Sequence, residues 1–384
     1  MSRRVYLDNA ASTPVDPKVK KEMLRGMTII GNPSSFNDEG RKARKELELA
    51  RLKIARFLGA HSDEIVFTSS GSEANNLAIK GVANVNKKGE IVTSPIEHPS
   101  VLEPIRALER LGHKIHCLRV DEWGTVDLKD LEKKLNSNTI LASVMYANNE
   151  IGTIEPIVKI SKIIKNFKAS SDTPLFHVDA CQAAGYLDMN VNRLGVDLLT
   201  FNGAKVYGPR GIGVLYIRRG VSISPEILGG DQEHGLRAGT ENLPAILGLA
   251  KAVEVTRKDQ SKKTTELRDY FLNQINIRLP EVKINGPIGN GRLANNINIS
   301  VPDLSNEIIL LELDKYGICA GSGSACTARS IEPSHVLKAI GIGKKYINGA
   351  IRFSLGRQTT KKDIDYVIGA LVKSVSDLKK RYKK

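Results

Sequence analysis

The stretch FNGAKVYGPRG sets Lys205 between an apolar run, VDLLTF, and a turn rich in Gly and Pro. A solvated lysine needs no such setting, whereas one presented from a tight turn into a pocket does. Other chemistry-bearing residues follow β-type runs in the same way. Asp179 comes directly after FHV, where a buried carboxylate is costly unless it has a partner. Gln182 stands three residues further on, His98 follows EIVTS, and Asn149 follows SVMYA. Gly71 and Ser72 open the helical pattern of SSGSEANNLAIKG, and the free N–H groups at a helix start suit a phosphate. The turn is neither GxxxxGK[ST] nor GxGxxG. A lysine for an aldehyde, an acid for a protonated ring nitrogen, an amide for a ring oxygen, a flat imidazole to stack and a helix terminus for phosphate are together what pyridoxal phosphate requires.

A second cluster lies in GICAGSGSACTARSIEPSHVL. Cys326 sits among Gly, Ser, Ala and Thr, which reads as an exposed loop able to carry a thiol to a substrate. Cys319 is nearer a β-like segment and reads as buried. Arg352, in AIRFSLGRQTT, falls in an alternating strand pattern. It suits a bidentate pair with a substrate carboxylate, or a structural ion pair. His113 and His116 in HKIH have no carboxylate near them in the sequence, so no metal site is expected there.

The elements that must position these groups alternate. The β-type runs are EIVFTS, EIVTS, KIHCLRV, TILASVMYA, PLFHVDA, DLLTFN and GVLYIR, with amphipathic segments such as PIVKISKIIKNFKA between several of them. Strands separated by helices predict βαβ units and a mostly parallel sheet of seven strands. In such a sheet ligands bind beyond the carboxyl ends of the strands, where the residues above stand. The expected division is a large α/β domain over residues 16–250 and a smaller α/β domain over 1–15 and 251–384, the latter carrying the cysteine loop.

Composition excludes several classes. The 384 residues are 41% apolar and 26% charged, as in ordinary globular proteins. No apolar run approaches the roughly 20 residues of a membrane span, and MSRRVYLDNAAS has no apolar signal core. A cytoplasmic protein is therefore expected. Four cysteines without CxxC spacing are neither a zinc ribbon nor a disulfide scaffold. The net charge of +15 is spread along the chain apart from the terminal KKRYKK, so no direct nucleic-acid contact and no membrane contact is expected.

The chain resembles the cysteine desulfurases of class V, fold type I, pyridoxal-phosphate enzymes, the NifS/IscS-like group. The motifs run nearly end to end: YLDNAASTPVDPKV, GNPSSFNDEGRKAR, FTSSGSEANNLAIKG, NNEIGT, HVDACQAAG, GGDQEHGLRAGTEN, SGSACTARSIEPSHVL and IRFSLGRQTT. The resemblance implies an enzyme that converts L-cysteine to L-alanine and leaves a persulfide on Cys326. The sulfur then passes to an acceptor such as an iron–sulfur scaffold or a tRNA-thiolation protein. It implies Lys205 as the Schiff-base lysine, Asp179 as the partner of the pyridine nitrogen and Gln182 as the donor to the phenolic oxygen. His98 is implied as the stacking and acid–base histidine, and Asn149 as a neighbour of cofactor and substrate. Gly71 and Ser72 fall on the phosphate loop, and Arg352 matches the arginine that holds the substrate carboxylate. Thr240 corresponds to a phosphate contact given across a dimer interface, which implies a homodimer. The length of the loop around Cys326 resembles the class I subgroup. A selenocysteine lyase or another class V enzyme is the alternative.

Departures from the family cluster around the lysine. The usual Ser-x-His-Lys is Asn202-Gly203-Ala204-Lys205 here, and the usual histidine of the NPSS segment is Asn37. These bear on cofactor affinity and rate rather than on the type of reaction. The two candidate thiols separate cleanly by experiment. Cys326→Ser is expected to keep the colour of the bound cofactor and lose persulfide formation, measured by thiol labelling after exposure to L-cysteine, while Cys319→Ser loses little. The reverse pattern would make Cys319 the sulfur carrier.

Overall fold

The computed structural model describes residues 3–86, 88–168, 172–256, 259–323 and 333–382. Among them are twelve strands: β1 Val5–Tyr6, β2 Ile65–Thr68, β3 Glu90–Thr93, β4 Lys114–Cys117, β5 Thr139–Ser143, β6 Leu175–Asp179, β7 Leu198–Asn202, β8 Gly213–Ile217, β9 Lys283–Ile284, β10 Asn296–Ser300, β11 Ile318–Cys319 and β12 Ala350–Ser354. The seven expected β-type runs are β2 to β8, and they form one sheet in the order β2-β8-β7-β6-β5-β3-β4. Six of its strands, β2 to β7, point the same way, and β3 to β7 pair directly in parallel, as the intervening helices dictate. β8 runs antiparallel to both neighbours, β2 and β7, because a short connection rather than a crossover helix joins it to β7.

Side chains alternate across this sheet into two cores. Ile65, Phe67, Val214 and Tyr216 point to the face covered by the helices Pro17–Met27, Asp38–Leu58, Ile157–Lys168 and Leu243–Val255. Val66, Leu215 and Ile217 point to the other face, under Gly71–Val85 and Pro99–Arg110. A further core packs Val5 and Leu7 with Phe271, Ile275, Ile299, Phe353 and Leu371, around the antiparallel strands β9, β10 and β12. The parallel pair β1–β11 ties the first residues of the chain to this C-terminal part. No helix among the described residues is long and apolar enough to cross a membrane.

One local detail differs from the expectations of the sequence, and another explains a departure noted there. His116 does have a carboxylate beside it, because β3 pairs in parallel with β4 and brings Glu90 against its Nε2. Asn37, where the resemblance leads one to expect histidine, caps the helix Asp38–Leu58 by accepting the Gly40 N–H at 2.8 Å. Asparagine is among the best residues for that task.

Glu155, at the edge of the first core, is 1% exposed. Its Oε2 accepts the Val126 N–H at 3.1 Å, and Oε1 is buried without a hydrogen-bond partner among the described residues. Burial pushes its carboxyl from 4.5 up to about 8, with Asp121 adding to the effect. The unfolded chain ionises this group near 4.5 while the folded chain keeps it protonated. Its contribution to stability is therefore fully present below about pH 4.5 and is lost as pH rises to about 8. Glu155→Gln keeps a carbonyl oxygen for Val126 and removes the titration. Denaturant midpoints of variant and parent should agree near pH 4.5 and diverge by a few kcal/mol in favour of the variant near pH 8, since each pH unit between the two ionisations is worth about 1.4 kcal/mol. Parallel pH dependences would show that Glu155 ionises normally.

Candidate active site

The carboxyl ends of β2, β3, β5, β6 and β7 surround a cavity of about 250 Å³. It is lined by Gly71, Ser72, His98, Asn149, Asp179, Gln182, Asn202, Lys205 and Arg352, which are the sequence-selected residues apart from Thr240 and Cys326. Cys326 lies outside the described residues. Thr240 is exposed and lines a neighbouring cavity whose wall shares Gly211 and Ile212 with this one.

Lys205 closes a 3-10 turn, Gly203–Lys205, directly after β7. Gly203 is required there, since a Cβ would meet the Pro209 carbonyl oxygen at 2.4 Å. The turn is clamped from the N-terminal segment. Thr13 donates its N–H and its hydroxyl to the Ala204 oxygen, at 2.8 and 3.0 Å. The same hydroxyl oxygen accepts the Tyr207 N–H at 2.8 Å, holding that residue at φ 61°. Lys205 Nζ donates to the Ala11 oxygen at 2.6 Å.

Asp179 ends β6 and is 5% exposed. Its Oδ1 accepts the Cys181 N–H at 3.0 Å and its Oδ2 accepts Asn75 Nδ2 at 2.8 Å. Asn75 lies one turn into the helix Gly71–Val85, whose start is capped by Ser70. Its Nδ2 also donates to Ser100 Oγ at 2.8 Å, and Ser100 reaches His98. His98 is itself the cap of the helix Pro99–Arg110, its Nδ1 accepting the Ser100 N–H at 3.1 Å. Burial lowers the imidazole's proton affinity; Asp179 works against that, and Lys205, His335 and Arg352 add to it. Neither Asn75 nor Ser100 stands out in the sequence. A signal is nonetheless present: Asn75 is four residues after Gly71, on the same helical face.

Gln182 Nε2 donates to the Ala10 oxygen at 3.0 Å, leaving one further amide hydrogen. Arg352, 2% exposed on β12, pairs with Asp8 at 3.0 Å and donates to the Asn149 carbonyl oxygen at 2.9 Å. Its Nε is buried without a partner among the described residues. The structural ion pair considered for this arginine is thus present, at the wall of the cavity. Glu150 is also buried, and its Oε2 accepts the Ser334 hydroxyl at 2.6 Å. Burial raises the Glu150 carboxyl above its ordinary range. Cys181 faces the cavity as a thiol whose pKa burial and Asp179 push well up, so it is a poor nucleophile.

The residues fit pyridoxal phosphate on three counts. A Cβ on Gly71 would lie 2.7 Å from Cys181 Sγ and 2.9 Å from Asn202 Nδ2, so only glycine leaves the helix start open at that point. The first amides of a helix have no partner within it and suit a phosphate. Asn202 Oδ1 is buried with no partner among the described residues, and both oxygens of Asp179 are placed to accept from N–H groups.

A parallel-sheet α/β fold with a lysine, a buried acid and a helix start around one cavity defines a pyridoxal-phosphate enzyme. The chain belongs to the class-V aminotransferase family, whose model matches residues 5–367. It is similar to the cysteine desulfurase IscS of Dictyoglomus turgidum, at 49% identity covering 99% of this chain and 96% of that one. A cysteine desulfurase of a Nostoc species is 45% identical, covering 98% and 94%. Among solved structures, a NifS-like protein superposes with a TM-score of 0.91 at 36% identity, covering 98% of this chain and 100% of that one. SspA in complex with cysteine superposes with a TM-score of 0.81 at 36% identity, covering 92% and 99%.

Ala204 lines the cavity at the position where the resemblance leads one to expect histidine, and its methyl group offers no donor. Asn202 stands two residues before it with an amide. Ala204→His is expected to tighten the dissociation constant for pyridoxal phosphate by about 10- to 100-fold, one charge-assisted bond at roughly 1.5–3 kcal/mol, in an absorbance titration. An unchanged constant would show that Asn202 or a water already fills the role.

Proposed function

We propose that this chain is a pyridoxal-phosphate-dependent cysteine desulfurase that takes sulfur from L-cysteine onto Cys326 and releases L-alanine. The observation that carries the reading is the convergence of Lys205, Asp179 and Arg352 on one cavity, in a chain 49% identical to a cysteine desulfurase. The cysteine held by the similar SspA points to the same substrate.

Pyridoxal phosphate, when bound, supplies an electron sink for the substrate carbon skeleton. Lys205 offers the amine that holds the aldehyde group. Asp179 would accept the ring N–H, and Gln182 would give its second amide hydrogen to the ring oxygen. Gly71 and Ser72 face the phosphate with backbone amides and a hydroxyl, supplemented by Asn202. His98, on the cavity wall, would cover the ring. Arg352 binds the substrate carboxylate, held in place by Asp8 and by the carbonyl of Asn149. Cys326 attacks as thiolate: an S–S bond forms to the substrate sulfur as the C–S bond breaks, and the carbon is then protonated to give alanine. A free thiol has a pKa of about 8.5, so the site must favour the thiolate or supply a base.

The sulfur goes on to an acceptor protein, such as an iron–sulfur scaffold or a tRNA-thiolation protein. The enzyme works as a homodimer in which Thr240 of each chain completes the phosphate contacts of the other. Its exposure beside Gly211 and Ile212, at the edge of the cavity, supports that arrangement. The large domain comprises residues 16–250, and the small one 1–15 and 251–384. We place the enzyme in the cytoplasm, where thiols stay reduced; the described cysteines Cys117, Cys181 and Cys319 are free.

Incubation with L-cysteine, pyridoxal phosphate and a reductant is expected to yield equal amounts of alanine and sulfide. Lys205→Ala should abolish turnover and the visible band of the bound cofactor, since Lys205 is the lysine lining the cavity. Normal desulfuration by that variant would overturn the assignment, and an inactive parent with bound cofactor would overturn the reaction.

A further inference from the structure

Asp179 is held from two sides. Cys181, two residues on, meets Oδ1 with its backbone N–H at 3.0 Å, and its thiol borders the same carboxyl. Oδ2 accepts Asn75 Nδ2 at 2.8 Å, from the helix Gly71–Val85. This second contact is made at a cost. Asn75 is fully buried, in a stretch of helix whose Ala74, Leu77, Ala78 and Ile79 are buried too. A carboxylate oxygen accepts and does not donate, so the amide turns its NH2 group toward it. The second amide hydrogen goes to Ser100 Oγ at 2.8 Å, and Asn75 Oδ1 is left buried without a partner among the described residues. A leucine has nearly the same shape and would leave no polar atom unpaired. Burying an unpaired oxygen is unfavourable, so the amide is explained by what its nitrogen does for Asp179.

The last torsion of an aspartate side chain is broad. A carboxyl held through one oxygen can turn about that bond, and one held through both cannot. We propose that Asn75 is a positioning residue for the cofactor: it fixes the carboxyl plane of Asp179, so that the acceptor for the protonated ring nitrogen keeps a set place relative to the helix start that faces the phosphate. One helix serves both ends of the ligand. Gly71 opens it, and Asn75 stands four residues later, about 6 Å along the axis. β6 by itself sets only where the backbone of Asp179 lies. Asn75 does not line the cavity, so it acts through Asp179 and touches neither cofactor nor substrate. Its role rests on that of Asp179 as partner of the ring nitrogen.

The test compares two ligands on the full chain freed of cofactor: pyridoxal phosphate and its 1-deaza analogue, in which a C–H replaces the ring nitrogen. The analogue keeps the aldehyde and the phosphate and needs no acceptor at that position. Binding is read by calorimetric titration in the absence of cysteine. The parent is expected to hold pyridoxal phosphate more tightly than the analogue. In Asn75→Leu the dissociation constant for pyridoxal phosphate should rise by about 10-fold, the low end for one hydrogen bond to a charged group, and the constant for the analogue should not change. In an Asp179→Ala background Asn75→Leu should cost no further affinity, because the two residues act through one contact. Asn75→Ala serves as a second variant, and a urea midpoint on each chain confirms its fold. Equal weakening for both ligands would overturn the proposal, since a disturbed helix start acts on the phosphate of either. A parent preference that survives both variants would overturn the role of Asn75 alone. Equal affinities in the parent would overturn Asp179 as partner of the ring nitrogen, and the proposal with it. Desulfuration enters none of these measurements and stands or falls by the alanine assay.

Discussion

A carboxylate buried at the end of a strand is the constraint on which this site depends. Asp179 is almost fully enclosed, and such a charge is tolerated only where donors surround it. The Cys181 amide and the Asn75 side chain meet it within the chain. What remains is an acceptor facing the cavity, ready for a protonated ring nitrogen. The same charge raises the Cys181 thiol and works against the burial of His98. It also opposes the burial of His177, two residues back on β6. That histidine stays neutral, its pKa lowered to about 4, bridging Ser143 and Thr200 on the neighbouring strands. One acid thus acts on two histidines, one inside the sheet and one at the wall of the cavity.

The lysine is held by a different device. β7 delivers Lys205 to the cavity, but the turn takes its shape from residues at the far end of the sequence. Thr13 grips the backbone on both sides of the lysine, and Ala11 receives its ammonium. Arg357 stacks over the Tyr207 ring at 4.0 Å, and its backbone N–H donates to the Tyr207 hydroxyl at 2.8 Å. Arg352 likewise reaches the cavity from β12 through Asp8. The N-terminal segment and the strands after residue 290 are therefore part of the active site. A sheet alone would present the lysine without fixing where its amine points.

Much of this was legible in the sequence, and the reason is geometric. Parallel strands flanked by helices read as apolar runs, and ligands gather at their carboxyl ends, so the residues after each run include Asp179, Gln182, Asn149 and Lys205. Pattern gives no access to side-chain partners separated by long stretches of chain. Asn75 and Ser100 are polar residues inside helices and read as surface. Asp8 carries no signal until β12 is laid beside it. The antiparallel β8 was equally hidden, since GVLYIR reads the same in either direction. Thr240, taken from the resemblance, is not a wall of the cavity within one chain.

The departures around the lysine follow from packing at one point. Gly71, Cys181 and Asn202 meet where the helix start approaches the end of β7. A sulfur and an amide there leave no space for even a methyl group on residue 71. With Asn202 filling that corner, the amide nitrogen is committed to the crowded side, and the buried Oδ1 has no partner within the described chain. A hydroxyl in the same place would be smaller and could both give and accept. The asparagine therefore trades freedom of orientation for reach. The polarity of this corner of the cavity is set by the amide, with Ala204 leaving the space beside it to whatever binds.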